Sequence, residues 1–400
     1  MFYAVKEKGR AVLPRKSVKQ RFIPDPRILQ LMEAFRLMTN DCIRIGLAER
    51  KTSMKSLSLA CYPKLKIYET ASVYRLCAIS RAAGILNSYR KLCRKHQVKE
   101  PYCTRLNLTT CYGVKILAGK LRMPDRVEIP LNTYVQRFLS QPNLEVRSVT
   151  LTPESVNISV RRNVEAAECT GMLGMDRNLD NVTLADTEKQ VVRYDLTKAT
   201  TIKSRCRQTK RCFTRNDVKI RKRVFQKYGR LERERVAWLL HNISANITLN
   251  AKLRKQAIVM EDLRGIRKLY RKRNGQGKDY RSMMNSWSYA ELQRQIQYKA
   301  DWNGIPVIYV KPYGTSAKCS MCGHKRMLPE ENRKLHCPNC GLTIDRDVNA
   351  ASNILARGLR FKPVGSADEA MVAEPAQQQA VICKVDADQS TSAHFDAPTS

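Results

Sequence analysis

The sequence predicts an α+β protein of several domains. An N-terminal small sheet or β-barrel is interrupted by inserted helices, and a C-terminal mixed domain is interrupted by a cysteine ribbon. Three observations predict this. The 400 residues exceed what one hydrophobic core organises. Apolar periodicity alternates along the chain between helical and strand-like repeats. Four cysteines fall late in the chain as two C-x2-C pairs.

The elements follow in order. Residues 2–23 are basic and partly alternating, broken by Pro14 and Pro24. Pro26 opens a helix whose apolar positions are Ile28, Leu31, Met32, Phe35, Met38, Cys42 and Ile45. A second helical stretch runs from about Thr70 to His96, with Arg75, Arg81, Arg90, Lys91, Arg94 and Lys95 off its apolar side. That basic face reads either as solvated or as gripping nucleic acid. Leu144–Leu151 and Val156–Val160 alternate with period two around the turn Thr152-Pro153-Glu154-Ser155, which predicts a hairpin. The hairpin should join the N-terminal segment, with the helical pair inserted between.

A second domain opens near Gly171. Met172–Asp176 reads as a buried strand ending on an acid, and Asn181–Ala185 and Val191–Tyr194 as the next strands of an antiparallel meander. From Lys203 to Arg235 there are 14 Lys and Arg against three acids, on a helical region that turns amphipathic through Val236, Leu240, Ile243 and Ile247. Arg221, Lys222 and Arg223 are its densest basic run and the candidate nucleic-acid contact. Ala257–Glu261 is a fourth strand ending on an acid. A basic glycine-containing loop follows over 271–285, then a helix over Trp287–Asn303, a fifth strand over Ile305–Val310, and a last helix from about Val348 to Arg357.

Charge narrows the partners. The chain carries +37, an excess that repels itself in the folded state unless a polyanion offsets it. Nucleic acid is the expected partner, and an anionic membrane surface the weaker option. In the segment 366–400, six acids against Lys384 leave −5, so residues 1–365 carry +42. With its Gln377-Gln378-Gln379 run, the acidic tail 361–400 reads as disordered. No run of about 18 apolar residues predicts a membrane span. The first residues lack signal-peptide order, which points to a reducing cytoplasm as the compartment for the 14 cysteines.

Cys319 and Cys322 precede Cys337 and Cys340, and Gly323 and Gly341 follow the two pairs. Each pair makes a knuckle with two thiolates on one side, and two knuckles complete a tetrahedron around Zn²⁺. Four thiolates close the shell, so this zinc is structural. The other ten cysteines show no paired spacing and read as small buried apolar residues.

Asp176 and Glu261 end strands, and Asp347 opens the last helix beside Asp345. Three carboxylates so placed can hold two Mg²⁺ ions that activate a water and stabilise the leaving oxygen of a phosphodiester. The plainer reading leaves Asp347 as a helix cap, Glu261 as a surface acid and Asp176 as a turn residue. The order of elements favours the first. Three strands, a helix, a strand, a helix, a strand and a final helix form the plan of a ribonuclease-H-like domain, with acids on the first strand, the fourth strand and the last helix.

At these residues the chain resembles the TnpB family, the RNA-guided nucleases of bacterial and archaeal insertion sequences related to type V CRISPR effectors. The resemblance rests on Gly174-Met-Asp176 with Asn181, Val259–Gly265, Gln297–Ile305, Tyr313-Gly-Thr-Ser316, the cysteine ribbon and Asp345–Ile354. It covers roughly 170–358 closely and the N-terminal half in layout alone. It implies RuvC-type catalytic acids at Asp176, Glu261 and Asp347, favouring the second acid of Asp345-Arg-Asp347. Asn178 stands where the family usually has glycine, and asparagine tolerates the same left-handed turn.

The implied organisation is a wedge-like β-barrel over 1–25 and 105–168 and a helical recognition insert over 26–104. A RuvC-like domain then occupies 169–314, the zinc ribbon 315–342 and the last RuvC-like helix 343–360. The implied activity is RNA-guided, Mg²⁺-dependent cleavage of double-stranded DNA, with a guide RNA from the transposon end and no membrane partner. Two other readings compete: a guide-dependent DNA-binding or transposition accessory protein that does not cut, and a transposase that joins strands with its own acids. The three acids favour cleavage, and the resemblance argues against the transposase.

Overall fold

The computed structural model describes residues 13–94, 96–272, 274–360 and 382–385. The chain divides into two compact units, Leu13–Asn163 and the residues from Val164 onward.

The first unit begins with β1 (Arg15–Arg21) and α1 (Pro26–Ala48). Asp25 caps α1: its Oδ1 accepts the Ile28 amide at 2.7 Å, and Pro26 fills a position that needs no donor. Next come α2 (Met54–Cys61) and α3 (Ser72–Cys93). Met32, Phe35, Met38, Cys42, Leu57 and Ile79 are all fully buried among these helices, which fulfils the helical periodicity and adds one short helix to it.

The strands β2 (Leu108–Thr110), β3 (Lys115–Leu117), β4 (Lys120–Met123) and β5 (Val127–Pro130) are followed by α4 (Thr133–Leu139). The hairpin β6 (Leu144–Thr152) and β7 (Ser155–Arg162) closes the unit. Two antiparallel sheets result, ordered β1-β7-β6-β2 and β3-β4-β5. This corrects the barrel expectation: among the described residues neither sheet closes. Closure needs the edge strands to hydrogen-bond to each other. The seven-residue β1 pairs with β7 alone, and the three-residue β2 with β6 alone. Part of the segment expected to complete the barrel, Met1–Val12, lies outside the described residues.

The second unit is built on a six-stranded sheet. The meander β8 (Gly171–Arg177), β9 (Asn181–Asp186) and β10 (Val191–Asp195) is antiparallel, as expected. Then α5 (Thr197–Cys212) and the 36-residue α6 (Val218–Leu253) lead to β11 (Gln256–Glu261), which pairs in parallel with β8. The loop expected over 271–285 is helical in its second part, α7 (Lys278–Ser286). Its apolar residues Met283 and Met284 are half-buried, and Met284 packs against Leu263, Trp287 and Tyr289. After α8 (Tyr289–Trp302), β12 (Val307–Val310) lies parallel to β11. The short strands β13 (Leu328–Pro329), β14 (Lys334–His336) and β15 (Thr343–Asp345) form the ribbon sheet, and α9 (Arg346–Gly358) follows. Finally β16 (Ile382–Val385) adds in parallel to β10, giving the order β12-β11-β8-β9-β10-β16. These four residues depart from the disorder expected of the tail. Val381-Ile-Cys-Lys-Val385 is its β-branched stretch, and β10 offers an open edge. The rest of 361–400 lies outside the described residues.

Alternation gives the sheet two different faces. Leu173, Met175, Val182, Leu184, Ile258 and Met260 point into a large core shared with α6 and α8. Met172, Ala257, Val259 and Ala185 point the other way, toward α9. Two glycines let α9 approach. A Cβ on Gly174 would lie 2.5 Å from the Ala351 carbonyl oxygen, and one on Gly358 would lie 2.4 Å from Val259. No side chain fits at either point, so α9 lies close against the sheet.

Candidate metal centres

By the same alternation Asp176 shares the α9 face with Gly174, and Glu261 shares it with Val259. Asp347 sits in the first turn of α9. The three sequence-predicted acids therefore converge on one face from β8, β11 and α9. All three are buried, with 7%, 8% and 1% of their surface exposed respectively.

Their surroundings differ. Asp347 is the best compensated: Arg333 Nη2 donates to both its oxygens at 2.9 and 3.0 Å, and Arg193 Nη2 lies 3.7 Å from Oδ2. Asn181 Nδ2 adds a hydrogen bond to Oδ2 at 3.1 Å. Glu261 accepts from the Thr315 hydroxyl at 2.6 Å. Arg177, 2% exposed on the opposite face, donates to the Glu261 carbonyl and fixes the strand end. Asp176 accepts from Asn178 Nδ2 at 2.7 Å. Burial first, then the Glu261 carboxylate and more weakly Asp347, push Asp176 up to about 7 against that bond. Burial also pushes Glu261 up, opposed by Thr315 and Arg177. A cluster that resists carrying its own charge is one that a divalent cation would relieve, and oxygen donors suit Mg²⁺.

The helix cap sets the two neighbouring acids apart. Asp345, not Asp347, caps α9: its Oδ1 accepts the amides of Asp347 at 2.8 Å and Val348 at 3.1 Å, and it also binds Arg193 at 2.6 Å. Asp347 is thereby left to face the sheet. Sequence reasoning missed Arg333, Arg193 and the amide link from Asn178 through Asn181 to Asp347. Thr315 lay within a quoted motif, but nothing local assigned its hydroxyl to Glu261.

The four predicted cysteines gather more tightly than the three acids: all four sulfurs lie within 4.8 Å of one another, and among the described residues the acids form no such group. Cys319 and Cys340 sulfurs lie 3.7 Å apart, and Cys322 and Cys337 sulfurs 3.5 Å apart. A tetrahedron with Zn–S of about 2.3 Å has edges of ~3.8 Å, so the set fits zinc; disulfides at about 2.05 Å are excluded. The two knuckles are built alike. Gly323 and Gly341 donate to the carbonyls of Cys319 and Cys337, and the amides of those cysteines donate to His324 and Leu342. Both glycines have positive φ, 75° and 72°, which accounts for their place in the pattern. At Cys322 the His324 amide and the Asn339 side chain draw the thiol down to about 6, while burial pushes Cys319 up. Against the Leu342 amide, burial and the neighbouring cysteines push Cys340 up to about 12, so one thiolate forms readily and the others need the cation.

Arg221, Lys222 and Arg223 are all exposed on the first half of α6. The buried positions of α6 begin at Val236, so about half of this helix carries its charge away from the core. Other basic residues of the region serve the fold: Lys203 binds Ser286 and Ser288, Arg207 binds Ser286, and Lys210 pairs with Glu232. Among the described residues no helix is long and apolar enough to cross a membrane.

The family model of the Cas12f1-like TNB domain matches residues 289–354, which contain the ribbon and Asp347. A TnpB-like protein of Methanocaldococcus jannaschii is 30% identical over 249 residues, covering 58% of this chain and 86% of that protein. The CRISPR-associated endodeoxyribonuclease Cas12f1 of Sulfoacidibacillus thermotolerans is 37% identical over 101 residues, 24% of this chain and 21% of its own. A solved Cas12f1–sgRNA–target DNA complex shares the fold, with a TM-score of 0.56 at 14% identity over 82% of this chain and 83% of that one. The chain belongs to the TnpB family.

Proposed function

We propose that this chain is an RNA-guided DNA endonuclease whose second unit is a RuvC-like nuclease. The observation that carries the reading is the convergence of Asp176, Glu261 and Asp347 on the α9 face of the sheet, buried and electrostatically coupled. Its relatives support it: one is named an endodeoxyribonuclease, and a fold neighbour was solved with sgRNA and target DNA.

Each residue has a part. Asp176, Glu261 and Asp347 would hold Mg²⁺, which activates water and neutralises the leaving oxygen of a phosphodiester. Thr315 orients Glu261, and Asn178 orients Asp176. Arg333 and Arg193 offset part of the Asp347 charge. The four cysteines would hold zinc as a closed structural shell that ties the ribbon to the start of α9. Ser320 and Lys318, beside Cys319, already bond to Asn349 of that helix at 2.9 and 2.8 Å. Affinity for nucleic acid comes from basic residues such as Arg221, Lys222 and Arg223, and sequence choice from base pairing to the guide.

The presence and convergence of all three acids favour cutting over guide-dependent binding alone. The test is to sequence RNA that co-purifies with the protein, then offer DNA matching that guide with randomised flanks and Mg²⁺. Cleavage next to a short flanking motif is the expected result. Bound RNA without cleavage would leave the non-cutting reading in its place.

A further inference from the structure

A cleft of about 680 Å³ opens between the first turns of α5 and the middle of α6, on the face away from α9. Its apolar lining includes Ile202, Leu239 and Trp238, and its charged lining includes Arg205, Arg235 and Glu234. Its size is that of a small-ligand site. Trp238 is the feature that stands out. It is 51% exposed, whereas Trp287 and Trp302 are 9% and 5% exposed. A half-exposed indole flanked by arginines on a strongly basic chain suits a nucleobase, whose phosphates would meet the arginines.

Glu234 narrows the partner. A carboxylate beside a phosphate-binding surface repels DNA and RNA alike, unless a hydroxyl donates to it. Ribose offers that donor in its 2′-OH, and deoxyribose does not. Glu234 is exposed enough to receive it: its ion pair with Arg230 spans 3.8 Å, and both side chains are well exposed.

We infer that this cleft binds one unpaired ribonucleotide, with the base stacked on Trp238, the 2′-OH on Glu234 and flanking phosphates on Arg205 and Arg235. The inference rests on the RNA-guided reading and names where an unpaired base of the bound RNA would lodge.

The experiment uses the full chain freed of co-purified nucleic acid in high salt, with oligouridylate and oligodeoxyuridylate of ten nucleotides as probes. Oligouridylate should quench tryptophan fluorescence, since Trp238 is the accessible indole. By anisotropy, Trp238→Ala should weaken oligouridylate binding about tenfold, while Trp238→Phe, which keeps an aromatic face, should stay near wild type. Glu234→Gln should narrow the preference for oligouridylate over oligodeoxyuridylate. Wild-type affinity in Trp238→Ala overturns the inference, as does equal binding of the two probes by the wild type. So does a change in sedimentation of Trp238→Ala with RNA affinity intact, which would assign the cleft to a second copy of the chain. If the inference fails while the wild type still cuts guided DNA, the functional reading stands. If the wild type binds no RNA, both fall.

Discussion

The ribbon and the carboxylate cluster both gather side chains of metal-ligating chemistry, and they do so in opposite ways. The ribbon draws its ligands from one short stretch, the paired cysteines standing 15 and 21 positions apart in sequence. Its knuckles repeat the same glycine turn, and its four thiolates leave no position open. The acids come from β8, β11 and α9, and the hydrogen bond from Asn181 to Asp347 spans 166 residues. They are held by a sheet face and by the close approach that Gly174 and Gly358 permit. A closed local shell suits a structural site, and an open shell assembled by the fold would suit one that exchanges water and substrate.

Breaking the closed shell should have the largest effect on stability. Cys337→Ser removes one thiolate from four, so zinc content measured by elemental analysis should fall from about one per chain toward none. The melting temperature should fall with it. Wild-type protein without zinc would remove this half of the comparison.

The open shell should show its strain in its pH dependence. Between the ordinary carboxylate value of 3.8 and about 7, folded protein holds the Asp176 proton more tightly than unfolded chain does. Stability without added Mg²⁺ therefore falls as pH rises through that window. Asp176→Asn should flatten the fall, leaving the smaller share due to Glu261. Thermal melts from about pH 4.5 to 8 would test this, and parallel curves for the two proteins would contradict it.

The exposed half of α6 tests whether affinity is separate from both sites. If Arg221, Lys222 and Arg223 each meet a phosphate of a duplex, neutralising all three should lower the slope of log K against log salt by about 2.7. An unchanged slope would make them a solvated face. A smaller effect sharpens the choice between the paired acids. Asp345→Ala removes the cap of α9 and should cost about 1–2 kcal/mol of stability while cleavage persists, as followed by denaturant titration and a cleavage assay.

What could be read in advance followed from how local each feature is. The cysteine spacing carries its own geometry, so the ribbon was legible residue by residue. The acids were legible through the order of elements and the resemblance, because each taken singly is an ordinary strand end or helix start. Arg333 and Arg193 were not legible: exposed or half-buried arginines abound in this chain, and three-dimensional folding alone selects these two for Asp347. The hairpin left a small sheet and a barrel both open, and strands of three residues such as β2 and β3 leave almost no alternation that could decide between them. The strand β16 was hidden by the acidic and glutamine-rich composition around it.

The central claim is that Asp347, released from capping by Asp345, joins Asp176 and Glu261 as a ligand of the cutting centre. The most direct measurement compares guided DNA binding and cleavage by the Asp347→Ala complex at saturating Mg²⁺. The account predicts target binding like the wild type with no detectable cutting. Cutting at near the wild-type rate would contradict it.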